Sequence, residues 1–414
     1  MRAGRWNCFL AKLDSASNPR IFPARKKMTK PRVVLGMSGG VDSSVAGYLL
    51  KEQGYDVVGV TMKVWPQDCL SRAEDKCCGP SAIADARGVA HALGIPHYVV
   101  DESAPFEKMV IEYFASEYQA GRTPNPCVMC NEKLKFGNLW KKAHALGAEF
   151  IATGHYAIIE HYVEGRKSKV ESAELSTFDV RRSTSYAVLR KGRDPRKDQS
   201  YFLFSLRQKQ LQRALCPLGE MSKPEIREIA RKLGLKVADK VDSQEICFVP
   251  GNDYKAFLKT HFAGSEKQFH PGSIYDKDGN FLAKHDGIEM FTIGQRKGLP
   301  GGSPRPRYVI DLDPATSSVI VGDAEDLVCD EFEVNNVNWL ESAPLLEPRE
   351  INVKIRYAHP GTDATLYAGE NGTARIRLHE PQRAVTPGQA AVFYEGDRVL
   401  GGGWICRHQA AVAA

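Results

Sequence analysis

The sequence predicts an α/β protein in three parts: a parallel-sheet domain, a small β-rich module and a C-terminal β-barrel. Three observations carry that reading. From Arg32 to about residue 154, apolar strands without a polar face alternate with amphipathic helices, the pattern of a parallel sheet covered on both sides. After about Asp242 the texture changes to Gly/Pro punctuation and short alternating segments. Between the first strand and the first helix stands Ser38-Gly39-Gly40-Val41-Asp42-Ser43-Ser44, a strand–turn–helix passage shaped to hold an anion.

The elements follow in order. Strand Val33–Met37 leads through the glycines into helix Val41–Gln53, then strand Val57–Val64. Helix Ser81–Leu93 ends at Gly94, strand His97–Asp101 follows, and helices Ala104–Ala120 and Glu132–Leu146 precede strand Phe150–Thr153. Tyr156–Tyr162 and Tyr186–Arg190 read as a hairpin flanking a polar insertion, with helices at Gln199–Leu206, Gln208–Leu215 and Lys223–Leu233 behind it. Gly272-Ser-Ile-Tyr, Asp278-Gly279 and Phe291–Gly298 mark the β-rich module. Strands near 308–312, 319–321, 331–339, 351–355, 372–378 and 390–394 suggest the barrel. The expected boundaries are 1–27 for an extension outside the fold, 28–242, 243–306 and 307–414.

Bulk properties narrow the chemistry. Residues 1–27 hold seven Lys/Arg against one acid, which accounts for the whole formal charge of +6, so an RNA-binding surface must be a local patch. That segment has the composition of a transit peptide, but Met28 leads straight into the first strand, and an extension without import is the preferred reading. No apolar run is long enough to span a membrane, and ten scattered cysteines fit a reducing compartment, here the cytoplasm.

No Gly-Lys-Ser/Thr follows the glycines of the loop, so it is not the cradle for β and γ phosphates found in kinases and GTPases. It resembles instead the pyrophosphate loop of the ATP pyrophosphatase superfamily, whose members cleave ATP between the α and β phosphates. In a parallel sheet, ligands sit beyond the carboxyl ends of the strands, where Ser38, Met62 and Gly154-His155 all fall.

The second informative stretch is Arg122-Thr-Pro-Asn-Pro-Cys127-Val-Met-Cys130-Asn131. Its prolines stop one helix and place two thiols at the start of the next, where a thiolate is favoured. A Cys-x-x-Cys pair there suits disulfide formation, metal binding or sulfur transfer; a zinc ribbon needs a second such pair, which the adjacent Cys77-Cys78 does not supply. Cys247, flanked by Ile246, Phe248 and Val249, reads on its own as a core cysteine. Arg181-Arg182 and Arg190–Lys197 form a basic strip suited to phosphates, although most charge runs are solvated loops.

Taken together, Ser38–Ser44, Thr61-Met62-Lys63, Gly121-Arg-Thr-Pro-Asn-Pro126, Cys130-Asn131, Ala152-Thr-Gly-His-Tyr156, Lys197-Asp-Gln-Ser-Tyr201, Cys247-Phe248, Gly294-Gln-Arg-Lys-Gly298 and Thr386-Pro-Gly-Gln389 resemble the tRNA-specific 2-thiouridylase family from Met28 to about Trp404. The resemblance implies ATP contacts at Gly36, Met37, Ser38, Gly39, Gly40, Val41, Asp42, Ser43, Met62 and Gly154. It implies a persulfide on Cys247 with Cys130 as its catalytic partner, and Asn125, Pro126 and Cys127 facing the target base. His155, Lys197, Asp198, Gln199, Arg356, Tyr357 and Gln389 would touch tRNA. ATP with Mg²⁺, a persulfide donor protein and the tRNAs for Lys, Glu and Gln are the implied cofactors and partners.

Cys127 stands where the best-known members carry Asp, which puts a general acid or base role there in doubt. Two mechanisms stay open: persulfide and disulfide chemistry alone, or an iron–sulfur cluster held by Cys127, Cys130 and Cys247. Persulfide chemistry is preferred. A small-molecule ligase of the same superfamily would explain the loop but not two placed thiols.

Overall fold

A computed structural model describes residues 30–64, 79–163, 169–170, 184–241, 246–263, 268–301, 305–340, 345 and 347–407. The extension 1–27, Cys8, Cys69, Cys77, Cys78 and Arg181-Arg182 lie outside the described residues.

The strands in chain order are β1 (Arg32–Gly36), β2 (Asp56–Lys63), β3 (His97–Asp101), β4 (Phe150–Ala152), β5 (Ala157–Val163), β6 (Lys169–Val170), β7 (Thr184–Lys191), β8 (Ala214–Leu215), β9 (Gly272–Asp276), β10 (Phe281–His285), β11 (Tyr308–Asp313), β12 (Ser318–Gly322), β13 (Val328–Trp339), β14 (Arg349–Lys354), β15 (Thr362–Ala368), β16 (Ala374–Arg383), β17 (Ala390–Glu395) and β18 (Arg398–Ile405). The expected architecture is present. The first sheet runs β3-β2-β1-β4-β8, all parallel. Helices α1 (Val41–Glu52) and α2 (Pro80–Leu93) pack on one face, where Leu35, Val45, Leu50 and Ala86 are almost fully buried. The chain reverses its direction of sheet growth between β1 and β4, and that switch point opens the crevice where α/β proteins bind ligands.

Several elements depart from the sequence expectation, each for a local reason. The segment 208–215 is not one helix: it stops at Leu211, and Ala214–Leu215 joins the sheet as β8. Ile151 N–H and Thr153 N–H donate there to Arg213 and Leu215 carbonyls, so β4 gains partners that its edge would otherwise lack. The helix expected at Glu132 begins at Pro126, because Asn125 Oδ1 accepts from Val128 N–H and proline suits the first helical position. Gln199–Leu206 shrinks to a short turn at Ser200–Leu203.

The module boundary at 306 is also wrong. Strand β12 pairs in parallel with β9 and antiparallel with β11, giving a four-stranded sheet β10-β9-β12-β11 that runs on to Gly322. Alternation marks a strand but not its sheet; here the choice is made by a shared core of Ile274, Val309, Leu312, Val319 and Val321. Helix Tyr254–Phe262, unmarked in the sequence reading, ties this module to the first domain: Phe257 stacks edge-on to Phe248, and Tyr254 lies flat on Tyr118 with centroids 4.5 Å apart.

Strands β13-β16-β15-β14-β17-β18 close into a six-stranded antiparallel barrel through β13–β18, and β15 and β18 complete what the sequence reading left short. The barrel is not a separate bead. Arg190 on β7 pairs with Arg398 on β18, so the β5–β7 hairpin extends the barrel sheet back into the first domain.

Candidate active site

At the end of β1 the backbone is held before it turns. Met37 N–H donates to Val60 O at 2.8 Å, and Thr61 Oγ1 donates to Met37 O at 2.8 Å. Gly39 then takes φ +69°, and a Cβ there would lie 2.2 Å from Ala82 O, so only glycine fits. Gly154 closes the other side: its Cβ would come within 2.8 Å of Ser43 N. Ser43 Oγ accepts from Ser38 N–H at 3.2 Å, and Ser44 Oγ donates to Gly40 O at 2.8 Å. Both serines thus shape the loop internally. Helix α1 has Gly40 as its N-cap and no side-chain cap, so its leading N–H groups point at the crevice with the positive end of the helix dipole. Such an arrangement of backbone donors suits a phosphate.

Residues that sequence reasoning missed complete it. Lys223 Nζ donates to both oxygens of Asp42, at 2.8 and 2.9 Å, while Tyr156 Oη donates to Oδ1 at 2.6 Å. The lysine is only 7% exposed. It occupies the first position of helix Lys223–Lys232, where a cation opposes the helix dipole, and a capping box between Ser222 and Glu225 fixes that start. A lysine in that unfavourable place was the available signal. Lys240 Nζ donates to Gly39 O at 3.2 Å and to Asp85 at 2.6 Å, bringing a second cation to the loop.

Met62 at the β2 end packs against two apolar clusters, and the thiol loop reaches the second of them through Cys130. The loop is pinned by the barrel. Thr123 N–H donates to Pro387 O at 2.8 Å, and Gln389 Nε2 donates to Thr123 O at 3.1 Å and Pro124 O at 3.0 Å. Tyr201 Oη donates to Ala390 O at 3.0 Å and also meets the side chain of Asn125. Asn125 and Pro126 are buried and Cys127 is half-exposed beside Tyr357, so of the three predicted base-facing residues Cys127 is the one at the surface.

Cys130 and Cys247, 117 positions apart in the chain, pack against one apolar cluster that includes Val64, Phe106, Phe114, Leu134 and Phe248. Burying Phe248 there stabilises the arrangement by about 1.5–3 kcal/mol. Both thiols are partly exposed. Cys216, which has no predicted role, offers the contrast: burial pushes its thiol up to about 12, out of reach of thiolate chemistry at neutral pH.

The predicted RNA contacts divide. Tyr357 is 37% exposed and stands on Phe202, centroids 4.4 Å apart, with Lys354 Nζ 5.8 Å from its ring; Arg356 is exposed and Lys197 half-buried. Asp198 is buried and accepts from Gly192 N–H, Ser200 N–H and Ser200 Oγ, all at 3.0 Å, so it pins the chain instead of facing solvent. Gln199 Oε1 accepts from Tyr156 N–H. His155 is buried with Nδ1 2.7 Å from Thr153 Oγ1, and burial drives its pKa well below the usual histidine value, so it is neutral. Within the basic strip, Arg190 is engaged by Glu160 at 2.8 Å and Asp397 at 2.7 Å, and Arg193 by Glu225. Those two arginines hold β5, β7, β18 and the helix Lys223–Lys232 together.

Among the described residues no three His, Cys, Asp or Glu side chains gather in metal-ligating position.

The glycine loop and the pair of thiols stand in a chain that matches one family in sequence. Residues 31–251 match the tRNA methyl transferase HUP domain, 255–323 the tRNA methyl transferase PRC-barrel domain and 329–405 the aminomethyltransferase beta-barrel domain. The chain is 50% identical over 376 residues to tRNA-specific 2-thiouridylase MnmA 1 of Caldanaerobacter subterraneus subsp. tengcongensis, covering 90% of this chain and 97% of that protein. It is 48% identical over 380 residues to tRNA-specific 2-thiouridylase MnmA of Heliobacterium modesticaldum (92% and 93%), and 45% identical over 377 residues to MnmA 2 of Clostridium botulinum strain Okra (91% and 99%).

The chain belongs to the tRNA-specific 2-thiouridylase family. Its three matched segments follow the observed units, including the module that ends near Gly322. No helix among the described residues of this thiouridylase-family chain is long and apolar enough to cross a membrane.

Proposed function

We propose that the protein transfers sulfur to C2 of the wobble uridine of tRNA, through ATP-dependent adenylation of the base and a cysteine persulfide. The observation that carries the reading is the convergence of Cys130 and Cys247 on one cluster beside a loop pinned by Gln389. A C2 oxygen is a poor leaving group. The uridine oxygen attacks the α phosphate, the α–β bond breaks, and pyrophosphate leaves against the N-terminus of α1 and the nearby lysines.

Sulfur then enters from a persulfide on Cys247. Its terminal sulfur bonds to C2; the Cys130 thiolate attacks Cys247 Sγ, breaks the S–S bond and forms a Cys130–Cys247 disulfide while AMP departs from C2. The transferred sulfur is reduced, the two thiols are oxidised, and a thiol reductant resets the pair. Besides these residues and ATP, the cycle takes its sulfane sulfur from a persulfide donor and two electrons from the thiol reductant. Mg²⁺ on the phosphates would add positive charge there, and by resemblance the acceptors are the tRNAs for Lys, Glu and Gln.

The test is single-turnover thiolation with ATP, tRNA and a persulfide donor, following pyrophosphate, AMP and 2-thiouridine together. The expected result is one of each per Cys130–Cys247 disulfide formed. AMP release without a thionucleoside, or thiolation without ATP, would refute the scheme.

A further inference from the structure

The central module contains a cavity that thiolation as written does not use. It measures about 470 Å³ and lies between helix Tyr254–Phe262 and the β9–β10 hairpin. Its apolar lining comes from Phe269, Ile274, Phe291 and Leu299, and three lysines, Lys255, Lys259 and Lys284, stand around it.

The lysines outnumber the carboxylates that face the cavity among the described residues. Among the described residues none of the three has a carboxylate within ion-pair distance. Nearby acids are turned elsewhere: Glu289 is fully buried against His270 Nδ1 at 2.5 Å, and Glu107 faces His261 at 3.6 Å. Asp286 is the one acid lining the cavity. Lys255 Nζ hangs 5.9 Å from the Phe291 ring centroid and 6.0 Å from that of Tyr254. Burial lowers its pKa, Asp253 opposes that shift and Lys259 adds to it. Like charges gathered over an aromatic floor repel one another until an anion joins them.

We propose that this cavity receives one nucleotide of the substrate tRNA, its phosphate on the lysines and its base on the apolar floor. This rests on the tRNA reading above and extends it to a surface outside the thiol site. The volume lies within the roughly 300–1,000 Å³ of small-molecule sites and suits a single nucleotide better than a protein surface. Cationic walls with an aromatic face are how single-stranded nucleic acid is held without sequence readout. The location fits too. The helix that walls the cavity packs Phe257 on Phe248, the neighbour of Cys247, and carries Lys255 and Lys259 on its other face, so an RNA strand anchored here lies one helix away from the thiol cluster.

The experiment is equilibrium binding of tRNA to the full chain at several salt concentrations, with ATP binding measured in parallel. The combined variant Lys255→Glu, Lys259→Glu and Lys284→Glu should bind tRNA about tenfold or more weakly, with the log–log salt slope shallower by about two, and bind ATP as before. Unchanged tRNA affinity and slope, with normal ATP binding, overturns the assignment. As an independent arm, a photocrosslinking p-benzoylphenylalanine in place of Leu299 should label tRNA. Labelling of a persulfide donor protein, or of free UMP but not tRNA, overturns it equally. Failure of the unsubstituted protein to bind tRNA would instead sink the thiolation reading, so the two failures are told apart.

Discussion

The phosphate cradle and the thiol site are built in opposite ways. The cradle is made mostly of consecutive backbone: one strand end, two glycines and the first turn of α1, with Gly154 and Lys223 closing it. The thiol site is assembled from distant pieces, since 121–130, Tyr201 and 246–249 of the first domain and Tyr357 and 387–390 of the barrel all reach it. A local motif can hold a phosphate because N–H groups need only one short turn to converge. Two thiols proposed to react with each other, 117 positions apart, need long-range packing to bring them near, and packing is where this chain places its pins.

The largest effects test whether the two thiols act as one unit. Cys130→Ser and Cys247→Ser should each lower thiolation by at least about three orders of magnitude, since neither a persulfide nor its resolution survives without its sulfur. Both should still release pyrophosphate when tRNA is added. Cys127→Ser should keep much of its activity. Equal loss in all three, accompanied by loss of stoichiometric iron from anaerobically prepared protein, would show that the thiols rearrange to hold a cluster.

On the cradle side, Lys223→Met removes the cation that holds both Asp42 oxygens. Asp42 is partly exposed, so water screens part of the loss, and a stability cost of about 1–3 kcal/mol is expected. Pyrophosphate release should fall about a hundredfold while tRNA affinity stays within about twofold. If tRNA binding collapses with it, the cradle and the RNA surface are not independent. Lys223→Arg should recover part of the rate, which a merely structural role would not predict.

The contrast also explains what the sequence made legible. Ser38–Ser44 announces itself because strand, turn and helix are contiguous, and the parallel sheet shows in its unbroken apolar strands. Lys223 is invisible in that sense, and Gln389, expected at tRNA, gives no hint of the loop it holds: each bonds to a partner 181 or about 265 positions away. Asp198 and His155 could be placed in a matching motif, but only the fold shows that both are buried. The module boundary escaped because β11 and β12 have the same alternation as barrel strands, and only pairing decides their sheet.

Acid should strain the two regions unequally. His161 on β5 is almost fully buried against the edge of Phe150, and burial lowers its pKa to about 4; His155, beside the cradle, is shifted the same way. The unfolded chain binds the proton near 6.5 and the folded chain does not, so this contribution is fully present above about pH 6.5. It is lost as pH falls towards 4, amounting to about 3 kcal/mol for His161. Urea unfolding between pH 7 and 4 should show that decline, and His161→Gln should flatten it. A profile unchanged by the substitution would place the acid sensitivity elsewhere.

The smallest effect is the most pointed, because it reaches the thiol loop from the barrel without touching a thiol. Gln389→Ala deletes two hydrogen bonds, to Thr123 O and Pro124 O, and leaves the loop held by Thr123 N–H on Pro387 O. Losing donors to two half-buried carbonyls should cost about 1–2 kcal/mol. The loop then moves more freely against β17 and β18, so Cys127 and Cys130 are presented less well to the base. Thiolation should fall about tenfold, with ATP affinity unchanged and the rate of persulfide loading on Cys247 intact. Gln389→Glu keeps the shape but replaces the donor by an acceptor facing two carbonyls, and should be worse than alanine. If instead alanine lowers only tRNA affinity and leaves the rate at saturating tRNA untouched, Gln389 acts on RNA directly, and the barrel would be a binding surface and not the support of the thiol loop.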